Sequence, residues 1–125
     1  MVNTFPVVYS AHSGGLAWDG EVFYHGSDQN YAGDQGDGLI HKYSADGTDV
    51  GSIGAPRGSL HPNALAYDGL NLWVTTESSD SVYVVDAEDG AVLRPLDLGG
   101  QARLITVFED HVWIGGGNTI QQLVP

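Results

Sequence analysis

"ALAYDGLNLWVTTESSDSVYVVDAEDGAVLRPLDL", residues 64–98, contains four short apolar runs rich in β-branched and aromatic residues. Asp68-Gly69 separates the first two runs and Asp89-Gly90 the last two. An Asp-Gly pair between apolar runs signals a tight hairpin, because Gly adopts positive φ freely and Asp bonds its own backbone. Helical periodicity with capping signals is absent. The stretch therefore predicts four antiparallel strands.

The same unit occurs on either side of it. Upstream, "GLAW" leads through Asp19-Gly20 into "EVFY", then "LIHKYSADG" and "TDVGSI"; "HSGGLAWDG" at 12–20 echoes "HPNALAYDG" at 61–69. Downstream, "ITVF" leads through Glu109-Asp110 into "HVWIGGG" and "TIQQLVP". Trp18, Tyr67 and Phe108 end the first runs, and Phe23, Trp73 and Trp113 lie in the second. In the third runs, Ile40 and Tyr43 match Val82 and Val85, then Ile120 and Leu123. Aromatics at recurring positions argue for packing between units rather than for a sugar-binding platform. Four-stranded units repeating at roughly 40 to 50 residues describe the blades of a β-propeller. The expected fold is all-β, with one blade at about 14–55, one at about 62–98 and one at about 102–125.

The third unit lacks a fourth strand. "TFPVVYS", residues 4–10, is a strand candidate ahead of the first unit and supplies one. Proline lacks an N–H and suits edge strands. Pro6 and Pro95 fall in proposed fourth strands, the outermost of their blades, and no inner strand is expected to hold a proline. Three blades do not close a ring. Either the sequence is a piece of a larger ring, or chains assemble around an axis with the N-terminal strand completing a neighbour's last blade. A homodimer with six blades is the first expectation, a trimer the second.

Residues 64–98 resemble repeats of the streptogramin-lyase-like and NHL-type propeller families, in the Ala-Leu-Ala-Tyr-Asp-Gly opening, the "LWV" strand and "VYVVD". That resemblance implies blade architecture across nearly the whole chain. It does not choose an activity, because such repeats serve enzymes, receptors and scaffolds alike.

Sixteen Asp and Glu oppose four Lys and Arg, a formal net charge of -12. Such a surface repels nucleic-acid phosphates and anionic lipid, so neither is an expected partner. With Lys42 the only lysine, the composition also resembles proteins of high-salt organisms. The absence of cysteine excludes disulfides and thiolate metal sites. No segment has the length of an apolar membrane-spanning helix, and "MVNTFPVVYS" has neither the basic start nor the apolar stretch of a secretion leader.

Two groups of residues are candidates for chemistry. His12 and His61 occupy one repeat position, just before the innermost strand and hence near the mouth of a central channel. In the third unit that position falls near Ala102, beside Arg103. His12, His61 and Arg103 form a candidate ligand-binding set, able to hold an anion, a small ligand or a divalent metal. The competing role for these histidines is to hold a loop by hydrogen bonds. The insertion at 27–38 carries Asp28, Asn30, Asp34 and Asp37, oxygen ligands suited to Ca²⁺. Ala32 and Leu39 break the spacing of an EF-hand, and a solvated rim loop with Tyr31 as a contact anchor is the alternative. No cofactor is otherwise expected, since nucleophile elbow, phosphate loop and dinucleotide fingerprint are all missing.

The leading expectation is a non-enzymatic, self-assembling module of a virus particle or cell surface, serving structure, decoration, adhesion or receptor binding. Its partners would be itself, other structural proteins or surface glycans, and its place extracellular or on a virion rather than cytoplasmic. The alternatives are a lyase-like enzyme using His12 and His61 as acid and base, and a glycan-binding lectin.

Overall fold

Alternation of apolar and polar residues, interrupted by Asp-Gly, produces eleven strands among the described residues. The computed structural model describes residue 4 and residues 12–28, 38–56, 62–76, 81–97, 104–116 and 119–123. The first sheet is an antiparallel meander of β1 (His12–Trp18), β2 (Val22–Asp28), β3 (Leu39–Ser44) and β4 (Asp49–Gly54). The second repeats it with β5 (Pro62–Tyr67), β6 (Leu72–Thr76), β7 (Ser81–Val85) and β8 (Val92–Asp97). The third has β9 (Leu104–Phe108), β10 (His111–Gly116) and β11 (Thr119–Leu123). The proposed N-terminal strand at 4–10 lies outside the described residues, apart from residue 4.

The turns form for the reason the Asp-Gly pairs suggest. Gly20, Gly38, Gly47, Gly69 and Gly90 all have positive φ. In each of the first two sheets an aspartate ties the opening hairpin together. Asp19 Oδ1 accepts from the amides of Glu21 and Val22, and its Oδ2 accepts from the Tyr24 hydroxyl at 2.8 Å. Asp68 repeats this with the amides of Leu70 and Asn71 and with Trp73 Nε1 at 2.7 Å.

This pattern corrects two sequence alignments. The residue five after the hairpin aspartate is Tyr24 in the first sheet, so Tyr24 and not Phe23 is the counterpart of Trp73 and Trp113. In the third sheet the same five-residue spacing leads back from Trp113 to Phe108. Glu109-Asp110 is therefore not the counterpart of Asp-Gly. Phe108 pairs with His111, and Glu109 and Asp110, at φ 50° and 64°, form the two-residue turn between them. Successive positive φ values mark the turn family whose twist matches that of the flanking strands. Without the aspartate, Trp113 Nε1 is buried and finds no acceptor among the described residues. A proline also falls where none was expected, since Pro62 opens the inner strand β5, opposite Thr76. It is tolerated as the first residue of the strand. Pro95 lies in β8, at the edge of its sheet.

The sheets pack face to face in sequence, and each opening strand lies beside the next. β1 runs against β5, and β5 against β9. Between the first and second sheets, Ala17, Tyr24, Ile40 and Ile53 meet Leu65, Leu72, Val74, Tyr83 and Val85. Between the second and third, Trp73, Val82 and Val84 meet Val112 and Ile114, flanked by Ile105, Val107 and Leu123. The second sheet is buried on both faces, so "LWV" and "VYVV" are continuous rather than alternating apolar runs.

At Gly15 the inner strands β1 and β5 pack backbone to backbone, with no room for a side chain. Gly15 sits at φ +90° in an irregularity of β1, and a Cβ there would lie 2.8 Å from the Leu65 amide nitrogen. At the rim, Lys42 stacks 5.7 Å from the centre of the Tyr24 ring and donates to the Glu88 carbonyl oxygen, tying the first sheet to the second.

Candidate functional site: the two open blade faces

Each sheet has a forward face, toward the sheet that follows, and a rear face, toward the one before. Cross-strand register makes these faces comparable position by position. Ile40, Val82 and Ile120 lie opposite Gly26, Thr75 and Gly115 in matching places on the three forward faces. Tyr24, Trp73 and Trp113 match likewise, as do Ala17, Ala66 and Thr106.

The forward faces of the first two sheets are covered by the next sheet, and that of the third is not. Ile40 and Val82 are both 0 % exposed, whereas Ile120 is 79 % exposed. Leu104 and Phe108 are also exposed, while Trp113 is half-buried. The rear face of the first sheet is open along its inner part only. Its inner positions Leu16 and Trp18 are exposed, and Trp18 rests against Phe23 with ring centroids 4.5 Å apart.

The outer part of that rear face holds a buried polar group that the sequence reading did not single out. His25 and His41 are cross-strand partners and both are buried, with the Tyr43 ring 6.3 Å from each. They occupy the places of Val74 and Tyr83 in the second sheet. His41 Nδ1 lies 3.2 Å from Asp49 Oδ2. His25 Nδ1 is buried and finds no partner among the described residues. Burial, and secondarily the charge of His41, holds the His25 imidazole below its ordinary pKa. The signal available in the sequence was a histidine at an apolar position of the repeat, visible once the copies are aligned on Tyr24.

The proposed channel-mouth set is described only in part. His12 opens β1, its backbone paired opposite Asp28 at the end of β2, so the register brings one member of each candidate set to the same end of one hairpin. His61 and Arg103 lie outside the described residues, as do Asn30, Asp34 and Asp37. The Gly38 amide donates to the Ser27 carbonyl oxygen and closes the base of the insertion. Among the described residues, no three His, Asp or Glu are grouped to hold a metal ion.

His25 gives the fold a pH dependence. Because its folded pKa lies below the unfolded value near 6.5, the unfolded chain takes up the proton first. Its contribution to stability is complete above that value and declines as pH falls toward the folded pKa. The urea midpoint is expected to fall as pH is lowered from ~6.5 toward ~5. His25→Val, which installs the residue of the second sheet, is expected to flatten that slope and raise the midpoint at pH 5. Asp19 and Asp68 act in a lower window. Burial pushes each carboxyl up, but amide and side-chain hydrogen bonds outweigh it and hold the pKa below 3.8. Their support is present above ~4 and is lost in stronger acid.

No family model matches the sequence, and no curated protein matches it. Solved structures do match the fold. Glutaminyl cyclase of Myxococcus xanthus aligns over 88% of this chain and 72% of its own, with a TM-score of 0.62 and 16% identity. BamB of Moraxella catarrhalis aligns over 89% of this chain with a TM-score of 0.61 and 20% identity, and Hsv2 of Kluyveromyces lactis over 88% with 0.63 and 7%. The alignments span 33% of the BamB chain and 31% of the Hsv2 chain. All three are β-propeller-type proteins, and at these identities the likeness is one of fold. The chain is an all-β repeat protein of propeller-type blades.

Proposed function

We propose that this protein is a non-enzymatic assembly module, a rigid set of propeller blades that works by joining further blades at its open ends. The observation that carries this reading is the third forward face. Leu104, Phe108 and Ile120 stand exposed there, and the places matching Ile120 are buried in both preceding sheets. A blade face built like the others but left in water is an association surface. A disc formed this way suits structural, decorating, adhesive or receptor-binding work, outside the cell or on a particle surface. Fold alone does not choose between roles, since the neighbours include an enzyme, glutaminyl cyclase.

Sedimentation of the purified chain tests the reading. The wild type is expected to run as a species larger than the 13.2 kDa chain, and the triple variant Leu104→Ser, Phe108→Ser, Ile120→Ser as a folded monomer. A wild type that stays monomeric and soluble at ~100 μM, a concentration far above the Kd of a standard interface, overturns it. Self-repulsion of a chain of net charge -12 opposes association, so salt is expected to strengthen it.

A further inference from the structure

We infer that the third forward face is covered by the first rear face of a second copy of this chain, so that two chains close head to tail into a six-bladed ring. This rests on the assembly reading and names its partner.

Three observations select that partner. In both interfaces within the chain, a forward face is met by a rear face, never by another forward face. The rear faces of the second and third sheets are already occupied, so among the described sheets only the first has exposed apolar residues on the inner strand of its rear face, β1. Leu16 and Trp18, exposed on it, match Leu65 and Tyr67, which pack against the first sheet.

Charge points the same way. The chain carries 16 Asp and Glu, and two copies meeting on ordinary surface would oppose carboxylates. The forward face of the third sheet presents Leu104, Thr106, Phe108, His111, Trp113, Gly115, Ile120 and Gln122, none of them a carboxylate. On the first rear face the exposed residues Leu16 and Trp18 lie along β1, again without a carboxylate, while His25, His41 and Tyr43 behind them are already buried within the chain. Asp49 on β4 is engaged by His41. These are surfaces on which two strongly acidic molecules approach without like-charge contact.

Ring arithmetic agrees. Propellers close with about four to eight blades, and two copies of three sheets give six. Closure forms the contact twice for a single loss of translational freedom, which favours a closed pair over an open chain of copies.

Two blocked chains test the inference. Leu16→Glu/Trp18→Glu closes the rear face, and Leu104→Glu/Ile120→Glu closes the forward face. Each alone is expected to sediment as a monomer, while the wild type sediments at twice 13.2 kDa. Mixed at equal concentration, the two are expected to recover a dimer, because each retains the face the other has lost. That recovery also shows that both chains are folded. Where a glutamate variant loses its β-sheet circular dichroism, serine at the same positions takes its place. If the rear-blocked chain still dimerises alone, or if two folded variants fail to recover a dimer, the head-to-tail partner is wrong while assembly stands. A wild type that is monomeric throughout overturns both.

Discussion

Gly15→Ala is expected to be severely destabilising for the addition of a single methyl group. Two independent penalties coincide. The new Cβ would lie 2.8 Å from the Leu65 amide nitrogen and 3.0 Å from the Ala64 Cα, and both are backbone atoms of the neighbouring inner strand. No rotamer change relieves a clash with backbone. In addition, φ at Gly15 is +90°, where an L residue with a Cβ is strained. Strain at such a backbone costs ~1–3 kcal/mol and overpacking a further ~1–3 kcal/mol. The sum is a large share of the ~5–15 kcal/mol that holds a domain together. Urea denaturation should show the midpoint collapse or the chain failing to fold. Gly69→Ala is the control: its φ is +99° but a Cβ there meets nothing within 4 Å, so only the backbone term applies. If the two variants lost equal stability, β1 and β5 would not be in the close contact described.

The contrast between Gly15 and the turn glycines shows what the sequence makes legible. Asp19-Gly20, Asp46-Gly47, Asp68-Gly69 and Asp89-Gly90 announce themselves, because a positive φ in a hairpin is a local requirement met by a local pair of residues. The match of Ile40, Val82 and Ile120 was equally readable, since it depends only on repeat spacing and strand alternation. Gly15 was not, because its need arises from Leu65, fifty residues away in sequence and adjacent only after the sheets stack. The same holds for the site. Aligning the copies on aromatics put Phe23 where Tyr24 belongs, and that one-residue slip turned the forward face into the rear face. It hid His25 at the place of Val74, and the same reliance on aromatics disguised the loss of the hairpin aspartate at Phe108. What exposed the slip was a side-chain bond, from Tyr24 to Asp19 and from Trp73 to Asp68, which spacing alone does not display.

Ile40→Ala and Ile120→Ala place the same substitution at the same repeat position, and their expected effects differ sharply. Ile40 is 0 % exposed between the first and second sheets. Its truncation removes transfer energy and leaves a cavity, a loss of ~2–5 kcal/mol in unfolding stability. Ile120 is 79 % exposed on the third forward face. In the isolated chain its truncation removes little that water did not already touch, so unfolding stability should shift by no more than ~0.5 kcal/mol. If a second copy covers that face, however, the loss reappears in association, approaching the ~1.5–3 kcal/mol of a newly buried aliphatic side chain. Folding and association are linked in such a system, so the gap in apparent midpoint between the wild type and Ile120→Ala should depend on protein concentration. Dilute enough to be monomeric, wild type and Ile120→Ala should unfold together. Concentrated, the wild type should gain stability that the variant does not. Ile40→Ala should remain destabilised at both concentrations, because the blade that covers it belongs to its own chain. Were Ile120→Ala indistinguishable from wild type at every concentration, the third forward face would be solvated surface, and the resemblance of Ile120 to Ile40 and Val82 would end at the repeat.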